Sequence, residues 1–427
     1  MAAPALRTAA DLDGRLAALP RPSGGFTAAA RAEARARLTA LPTRRDEYWR
    51  WTDPAALNAA EPPPAAPFAD DEAPLFAAVD RVRLVFTDGV FDAAASDDPA
   101  AAGIELLSQA DRSDIHWARD LYGVLEARGQ TPVARPFASL NTAFATEGVL
   151  IRVSGKAAKP VHLIYNHSSD RSDAILHHCV RLDPGAELTL LETGPAAARF
   201  NKVLEVELGA GARFHHLRAQ GRDHDRRAIT HIFTRLAKGA LFKSFTLTMN
   251  GRLTRNEAVI EIAGDGAVAH VAGAALGDGA SAPFHHDDTV FITHDAVGCE
   301  SRQVFKKVLR NGAQGVFQGK ILVKPGAQKT DGYQISQSLL LDEDSQFLAK
   351  PELEIYADDV KCSHGSTTGA IDETALFYLR SRGVPRAEAV SLLVLSFLAD
   401  AIAEIEDEDL AAEIVTRLES WLARRQR

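Results

Sequence analysis

The chain has 427 residues, with 48 Lys and Arg against 57 Asp and Glu, for a formal net charge of −9. That length allows two or three domains and a large core. The basic residues are spread along the chain rather than gathered in a block, which removes the electrostatic footing for nucleic-acid binding.

The opening MAAPALRTAADLDGRL lacks the cationic-then-apolar order of a secretory signal, and no stretch reads as a membrane span. The three cysteines, Cys179, Cys299 and Cys362, form no CxxC pair. An odd, sparse count suits a reducing cytoplasm and no disulfide framework.

In chain order, Phe26 to Leu41 is rich in Ala, Arg and Glu and is expected to be helical, capped near Thr27 and stopped by Pro42. The following RRDEYWRWTD, with Tyr48, Trp49 and Trp51, is expected to anchor the N-terminal helices onto the main body. Ala59 to Pro74 holds five prolines and has the composition of a mobile linker. Val82, Leu84 and Phe86 alternate ahead of Asp88-Gly89 and Val90, the pattern of a hairpin with a type I′ turn. Mixed helix is expected from Ile104 to Gly148.

From Gly148 the pattern changes to short alternating strands. A Gly-Ala pair recurs at Gly185, Gly211, Gly239, Gly266, Gly312 and Gly326, at intervals of 26, 28, 27, 46 and 14 residues. Each pair is followed by an alternating run, and a glycine supplies the left-handed corner that such a repeat needs. Periods in the twenties with strands and no helices predict a β-solenoid. An antiparallel sandwich is the alternative, but its turns recur at ~8–12 residues without a fixed corner.

The adjacent histidines His177-His178, His215-His216 and His285-His286 should point to opposite faces of their strands, one ring inward and one outward. Cys179 and Cys299 are expected as small core residues. Past Gly365 helix returns: Asp372 caps Glu373–Arg382, Pro385 opens a second helix to about Glu406, and Asp407 to Asp409 open a third. The second helix is apolar nearly all round, which predicts cover by a partner protein; a self-contained helical cap on the solenoid end is the alternative. The resulting division is 1–137 (helical with a Pro-rich linker), 138–365 (solenoid) and 366–427 (helical).

The chemistry concentrates in PELEIYADDVKCSHGSTTGAIDETALFYLRSRG, Pro351 to Gly383. Cys362 and His364 are i and i+2 on a strand, so they share a face with Cα atoms ~6.6 Å apart. They suit one soft metal, cluster or sulfur species, with Asp358 and Asp359 beside them. Two ligands are half the usual set of about four, so another surface must complete any such site. Gly319-Lys320 lacks the Ser or Thr of a P-loop, and no HExxH or GxSxG is present, so ATP dependence must come from a partner.

That stretch, and GVFQGKILVKPGAQKTDGYQISQSLLLDEDS (Gly315 to Ser345) before it, resemble the C-terminal signature of the SufB/SufD family of the Suf iron–sulfur cluster assembly machinery. ASLNTAFATEGVLIRV (Ala138 to Val153) and LPTRRDEYWRWTD fit more weakly. Within the family, KCSHG after ADDV resembles SufD, and the cysteine set of SufB is not seen.

The resemblance implies a right-handed parallel β-helix flanked by helical regions. It implies pairing with a SufB-type subunit through the β-helix, and one SufC-type ATPase docked on the C-terminal helices. It further implies a non-enzymatic scaffold in the cytoplasm, which with no P-loop binds no ATP itself; apart from the resemblance, self-association of the isolated chain as a homodimer through β-helix edges is a third reading. A nascent iron–sulfur cluster would be held at the interface, with His364 as a ligand, Cys362 assisting, and Asp358 or Asp359 in support. Ala375 to Phe397, including Phe377, Tyr378, Arg380, Arg382, Leu393 and Phe397, would form most of the ATPase dock. The rival reading is a β-helix enzyme acting on polysaccharide. It needs an aromatic-lined groove, and the 19 Phe, 6 Tyr and 4 Trp are not gathered in the strand region.

Overall fold

At Gly185, Gly211, Gly239 and Gly266 the backbone takes left-handed φ of 73°, 68°, 63° and 66°, a conformation that burdens any residue with a Cβ. Each corner feeds a strand, in turn Glu187–Thr193, Arg213–Gln220, Leu241–Met249 and Val268–Asp278. These strands stack in parallel within a ten-stranded sheet, and the strands between them stack in parallel within a nine-stranded sheet. The chain is a parallel β-helix of two facing sheets, as the repeat predicted, with helices at both ends of the sequence. A computed structural model describes residues 11–22, 24–67, 73–221 and 225–425.

The irregular intervals have a geometric cause. The corner after Gly266 is Gly298-Cys299, with φ 66° at Gly298, feeding Glu300–Arg310. Cys replaces Ala there, which hid the repeat. Gly312 lies at the opposite corner and feeds Gln314–Val323 of the other sheet, so the 14-residue interval joins two different corners. At Gly326-Ala327 the left-handed residue is Lys329, φ 59°. Among the described strands only two pairings are antiparallel, Val82–Thr87 with Val90–Phe91 and Ile104–Leu106 with Val149–Val153. A sandwich is excluded.

The expected hairpin forms, with Asp88 at φ 51° and Gly89 at φ 84° as a type I′ turn requires. Its first strand also pairs in parallel with Val161–Asn166, so the ten-stranded sheet already begins at Val82. Inward side chains such as Leu163, Leu190, Phe214, Phe242, Ile260, Ile292 and Phe317 build one continuous core.

The two outer faces are covered differently. Over the nine-stranded sheet lies the N-terminal region, where Trp49, Leu140 and Phe144 pack on Ile175 and Ile229, and Leu121, Tyr122 and Leu125 pack on Cys179, Val203 and Phe233. The aromatic anchor is therefore real, with Trp49 5.5 Å from Phe137 and Tyr48 5.1 Å from Phe291. Over the ten-stranded sheet lie the helices Arg386–Ile402 and Glu408–Arg424, burying Val394, Leu398, Ile414, Leu418 and Trp421 against Leu217, Phe245, Leu276 and Val304. The apolar helix thus needs no partner for its main face. Its cover is the flank of its own solenoid, not the solenoid's end, because the outward residues of those strands are themselves apolar.

Three local expectations change. The helix expected over 26–41 spans Ala28–Arg37. Thr27 sits at its cap position, but Asp111, distant in sequence, accepts the Gly25 and Thr27 amides at 3.0 Å each. In the proline-rich segment, described here to residue 67, the carbonyls of Ala60 and Pro64 accept from Arg199 (3.2 Å) and Arg227 (3.0 Å), and the Ala65 amide donates to Asp170 (2.8 Å). Prolines lack donors yet keep their acceptors, so arginines on the solenoid hold this segment in place. Residues 68–72 of it lie outside the described residues. Finally, His177 and His178 are both fully buried. They do face opposite ways, but the N-terminal region covers the outward one.

Candidate cluster-assembly site

The last strand of the ten-stranded sheet is Lys361–Gly369 and the last of the nine-stranded sheet is Gln346–Ile355. Among the described residues each has a strand partner on one side only, so their outer ladders end the solenoid with unpaired backbone groups. Pro351 is tolerated here because an edge strand need not donate on both sides. In the last coil, parallel register sets Cys362 over Gly332 and His364 over Gln334.

Cys362 faces the lumen, packed with Ile321, Val323, Ala327 and Ala357. Gly332 gives it room, since a Cβ there would stand 3.2 Å from the Cys362 sulfur. Burial, with the Asp331 carboxylate adding to it against the Gly332 amide, pushes the thiol pKa up. The resting group is therefore the neutral thiol, and a cation is required to draw out the thiolate. His364 follows on the same face, above Gln334, whose amide donates to Gln303 at 2.9 Å. It is exposed because no further coil covers it. Asp359 is engaged by Lys329 at 2.9 Å at the corner, and Asp358 is exposed beside it. The structure thus brings Cys362 and His364 together as a two-donor edge on an open surface.

Asp372 caps the helix Glu373–Ser381 by accepting the Thr374 and Ala375 amides at 2.8 and 3.0 Å. On it Phe377 is 73% exposed and Tyr378 56% exposed, with the Arg382 guanidinium 3.4 Å over the Tyr378 ring. Arg380 is exposed and Leu393 half-buried. Phe397 instead turns toward the solenoid, 4.8 Å from the Lys306 ammonium. The exposed patch is therefore centred on Phe377, Tyr378 and Leu392.

Sequence reading missed a charged cluster inside the lumen. Lys202 pairs with Glu192, and Glu192 also takes hydrogen bonds from His216 (2.7 Å) and Tyr165 (2.9 Å). Further along the lumen, Lys307 contacts Asp288 at 2.6 Å and His286 at 3.0 Å. Burial holds His216 down to about 4, His286 to about 3 and Lys202 to about 8. For Glu192 burial acts upward, but Lys202 and His216 outweigh it and the carboxyl stays ionised. The only signal was a set of charged residues at inward positions of otherwise apolar alternation, and it is visible only once the register is fixed.

Residues 164–397 match the family described as SUF system FeS cluster assembly, SufBD core domain. The chain is 28% identical to the iron-sulfur cluster assembly protein SufD of Escherichia coli (strain K12), over 89% of each chain. It is 26% identical to a SufBD family protein of Synechocystis sp., over 86% of this chain and 84% of that protein. It is 27% identical to SufD of Bacillus subtilis, over 66% of this chain and 65% of that protein. Among the described residues no helix is long and apolar enough to cross a membrane. The two-donor edge, the β-helix that carries it and these likenesses converge: the chain belongs to the SufB/SufD family of iron–sulfur cluster assembly proteins and within it is most like SufD.

Proposed function

We propose that this chain is the SufD-type scaffold subunit of a SufBCD-type complex. It is not itself an enzyme, it works in the cytoplasm, and it joins a SufB-type subunit at the open end of the solenoid. One observation carries the reading: Cys362 and His364 lie in the terminal coil, whose two edge strands have free ladders. An edge of this kind pairs with another strand edge by main-chain hydrogen bonds, which would bring the partner's ligands to the two donors present here. The cluster is cargo, assembled from iron and sulfide between the two subunits. His364 is its ligand from this side, with Cys362 assisting through its thiol and Asp358 and Asp359 in support. A SufC-type ATPase docks on Phe377, Tyr378, Arg380 and Arg382, with Leu393 and Leu392 at the margin. That patch supports docking because large apolar groups ringed by arginines are costly to leave in water.

The test is co-expression with SufB- and SufC-type partners, anaerobic purification and cluster quantification for wild type and His364→Ala. The complex should form equally in both, with the cluster lost from the variant. Equal cluster in the two would remove His364 from the site and leave a purely structural subunit.

A further inference from the structure

A second ligand set lies far from the open end, beneath the N-terminal region. His177 and Cys179 are i and i+2 on the outward face of the strand Asp173–Leu182, and Glu205 is in register with Cys179 on the neighbouring strand Arg199–Leu208. All three are fully buried, and one ligand atom from each lies within 4.8 Å of the others.

The hydrogen bonds around them fix which atoms are free. Asn141 donates from its amide nitrogen to the carbonyls of Leu176 and Asn201, both at 3.0 Å, which aims its carbonyl oxygen at His177 Nδ1, 3.0 Å away. His177 Nδ1 therefore carries the proton, and Nε2 faces Glu205 Oε2 at 2.8 Å. In neutral histidine these are two acceptors face to face, and a cation must stand between them. A proton would serve that pair, but it would leave the Cys179 thiol, which has no hydrogen-bond partner among the described residues, facing the Glu205 carboxylate. A divalent cation serves all three groups at once.

We propose that His177 Nε2, Cys179 Sγ and the Glu205 carboxylate bind one structural zinc-class divalent cation. Nitrogen, sulfur and oxygen donors are the set such ions take. Glu205 spends one lone pair of each oxygen on the Gly123 and Glu126 amides, at 2.6 and 2.8 Å, and retains a second pair on each. Bidentate binding then gives four donor atoms without water. The Tyr122 ring, 4.1 Å from the His177 ring, closes the site. Loading releases the thiol proton and any proton held between His177 and Glu205. Thiolate and carboxylate then neutralise the cation, so the buried site carries no net charge. Asn141 is a positioning residue that holds the tautomer, as the hydrogen-bond partners of metal-bound histidines do. Because Gly123 and Glu126, whose amides hold Glu205, belong to the N-terminal region, the ion would pin that region to the solenoid.

The test uses the full chain in a background carrying both Cys362→Ser and His364→Ala, so that the proposed cluster ligands contribute nothing and their failure leaves this readout untouched. Protein from cells grown with Zn²⁺ should retain roughly one zinc after dialysis against a chelator, and X-ray absorption should show one sulfur neighbour at about 2.3 Å with the rest nitrogen and oxygen. Protein from cells grown with Co²⁺ should show a thiolate-to-cobalt charge-transfer band, absent in Cys179→Ser. Asn141→Ala should bind Zn²⁺ about 10–100-fold more weakly with the same ligands. Trace zinc, a metal with no sulfur neighbour, or a cobalt band that survives Cys179→Ser would overturn the site and leave a buried imidazolium–carboxylate pair. If Cys179→Ser does not fold, the zinc spectrum of the Cys179-containing background protein decides alone.

Discussion

The two flanks of the solenoid are held by different mixes of chemistry. On the nine-stranded sheet the N-terminal region adds buried ion pairs to its apolar contacts. Arg135 and Arg255 both bind Glu257, at 3.0 and 2.7 Å, Arg255 also binds Asp287, and the Arg255 guanidinium lies 4.2 Å over Trp49. For Arg255 burial works against the charge, but Asp287 and Glu257 outweigh it and its pKa is raised. Burial likewise acts against Glu257, yet Arg255, His231 and Arg135 hold it down to about 2. On the ten-stranded sheet the C-terminal helices meet a mainly apolar face; Lys306, buried beside Phe397, pairs with Asp400 at 2.9 Å, and at the rim Glu406 contacts Lys243 at 2.7 Å and Arg213 at 3.5 Å. Buried ion pairs admit one arrangement, because every group left unpaired is costly. Apolar contact is non-directional. The first flank is built for registry and the second for area. The docking patch proposed above lies on the second, the flank better able to tolerate a shift of its helices.

The sharpest way to break this contrast is Glu257→Ala, which leaves Arg135 buried without its carboxylate. We expect a loss of about 3–5 kcal/mol by urea unfolding, with the N-terminal region becoming the first site of proteolysis. Leu418→Ala, in a fully buried position under the C-terminal helices, should lose about 2–5 kcal/mol through the lost contacts and the cavity, with the solenoid retained. Its rim counterpart Glu406→Gln should lose only about 0–1 kcal/mol, since this pair lies at the solvent-facing rim. A large loss from the rim and a small one from the core would reverse the assignment of that flank.

Acid should sharpen the comparison further. His216 and His286 have folded pKa values of about 4 and about 3, below the ordinary 6.5. The unfolded chain takes up their protons first, so stability is complete above about pH 6.5 and falls as pH drops toward those values, by up to ~1.4 kcal/mol per unit for each group. Glu257, held down to about 2 from 4.5, adds a loss that begins near pH 4.5. Urea unfolding across this range should therefore show a decline that steepens below pH 4.5, less steeply in Glu257→Ala. A flat profile from pH 6.5 to 4.5 would mean that the lumen histidines reach solvent in the folded protein.

Much of the molecule was legible from local pattern. The corner glycines fixed the solenoid, since left-handed backbone recurring at a regular interval turns the chain by the same corner each time and so stacks it into coils. Cys362 and His364 do lie two apart on one strand, Lys361–Gly369. Asp372 and Asp407 cap the helices they were expected to cap, the latter accepting amides at 3.0 Å. One corner was lost because Cys299 stood where Ala was expected. The covering of His177, the arginine anchors on the proline-rich segment and the Asp111 cap were not legible, because each joins residues far apart in sequence.

By itself, then, the sequence determined what depends on near neighbours: strand alternation, corners, helix ends and a Cys-His pair on one face. Only the tertiary structure decided what depends on stacking. It set which inward positions form the charged lumen and where the C-terminal helices find their cover. The physical reason is that register and burial are properties of contacts between coils, and such contacts leave no period in the chain that makes them.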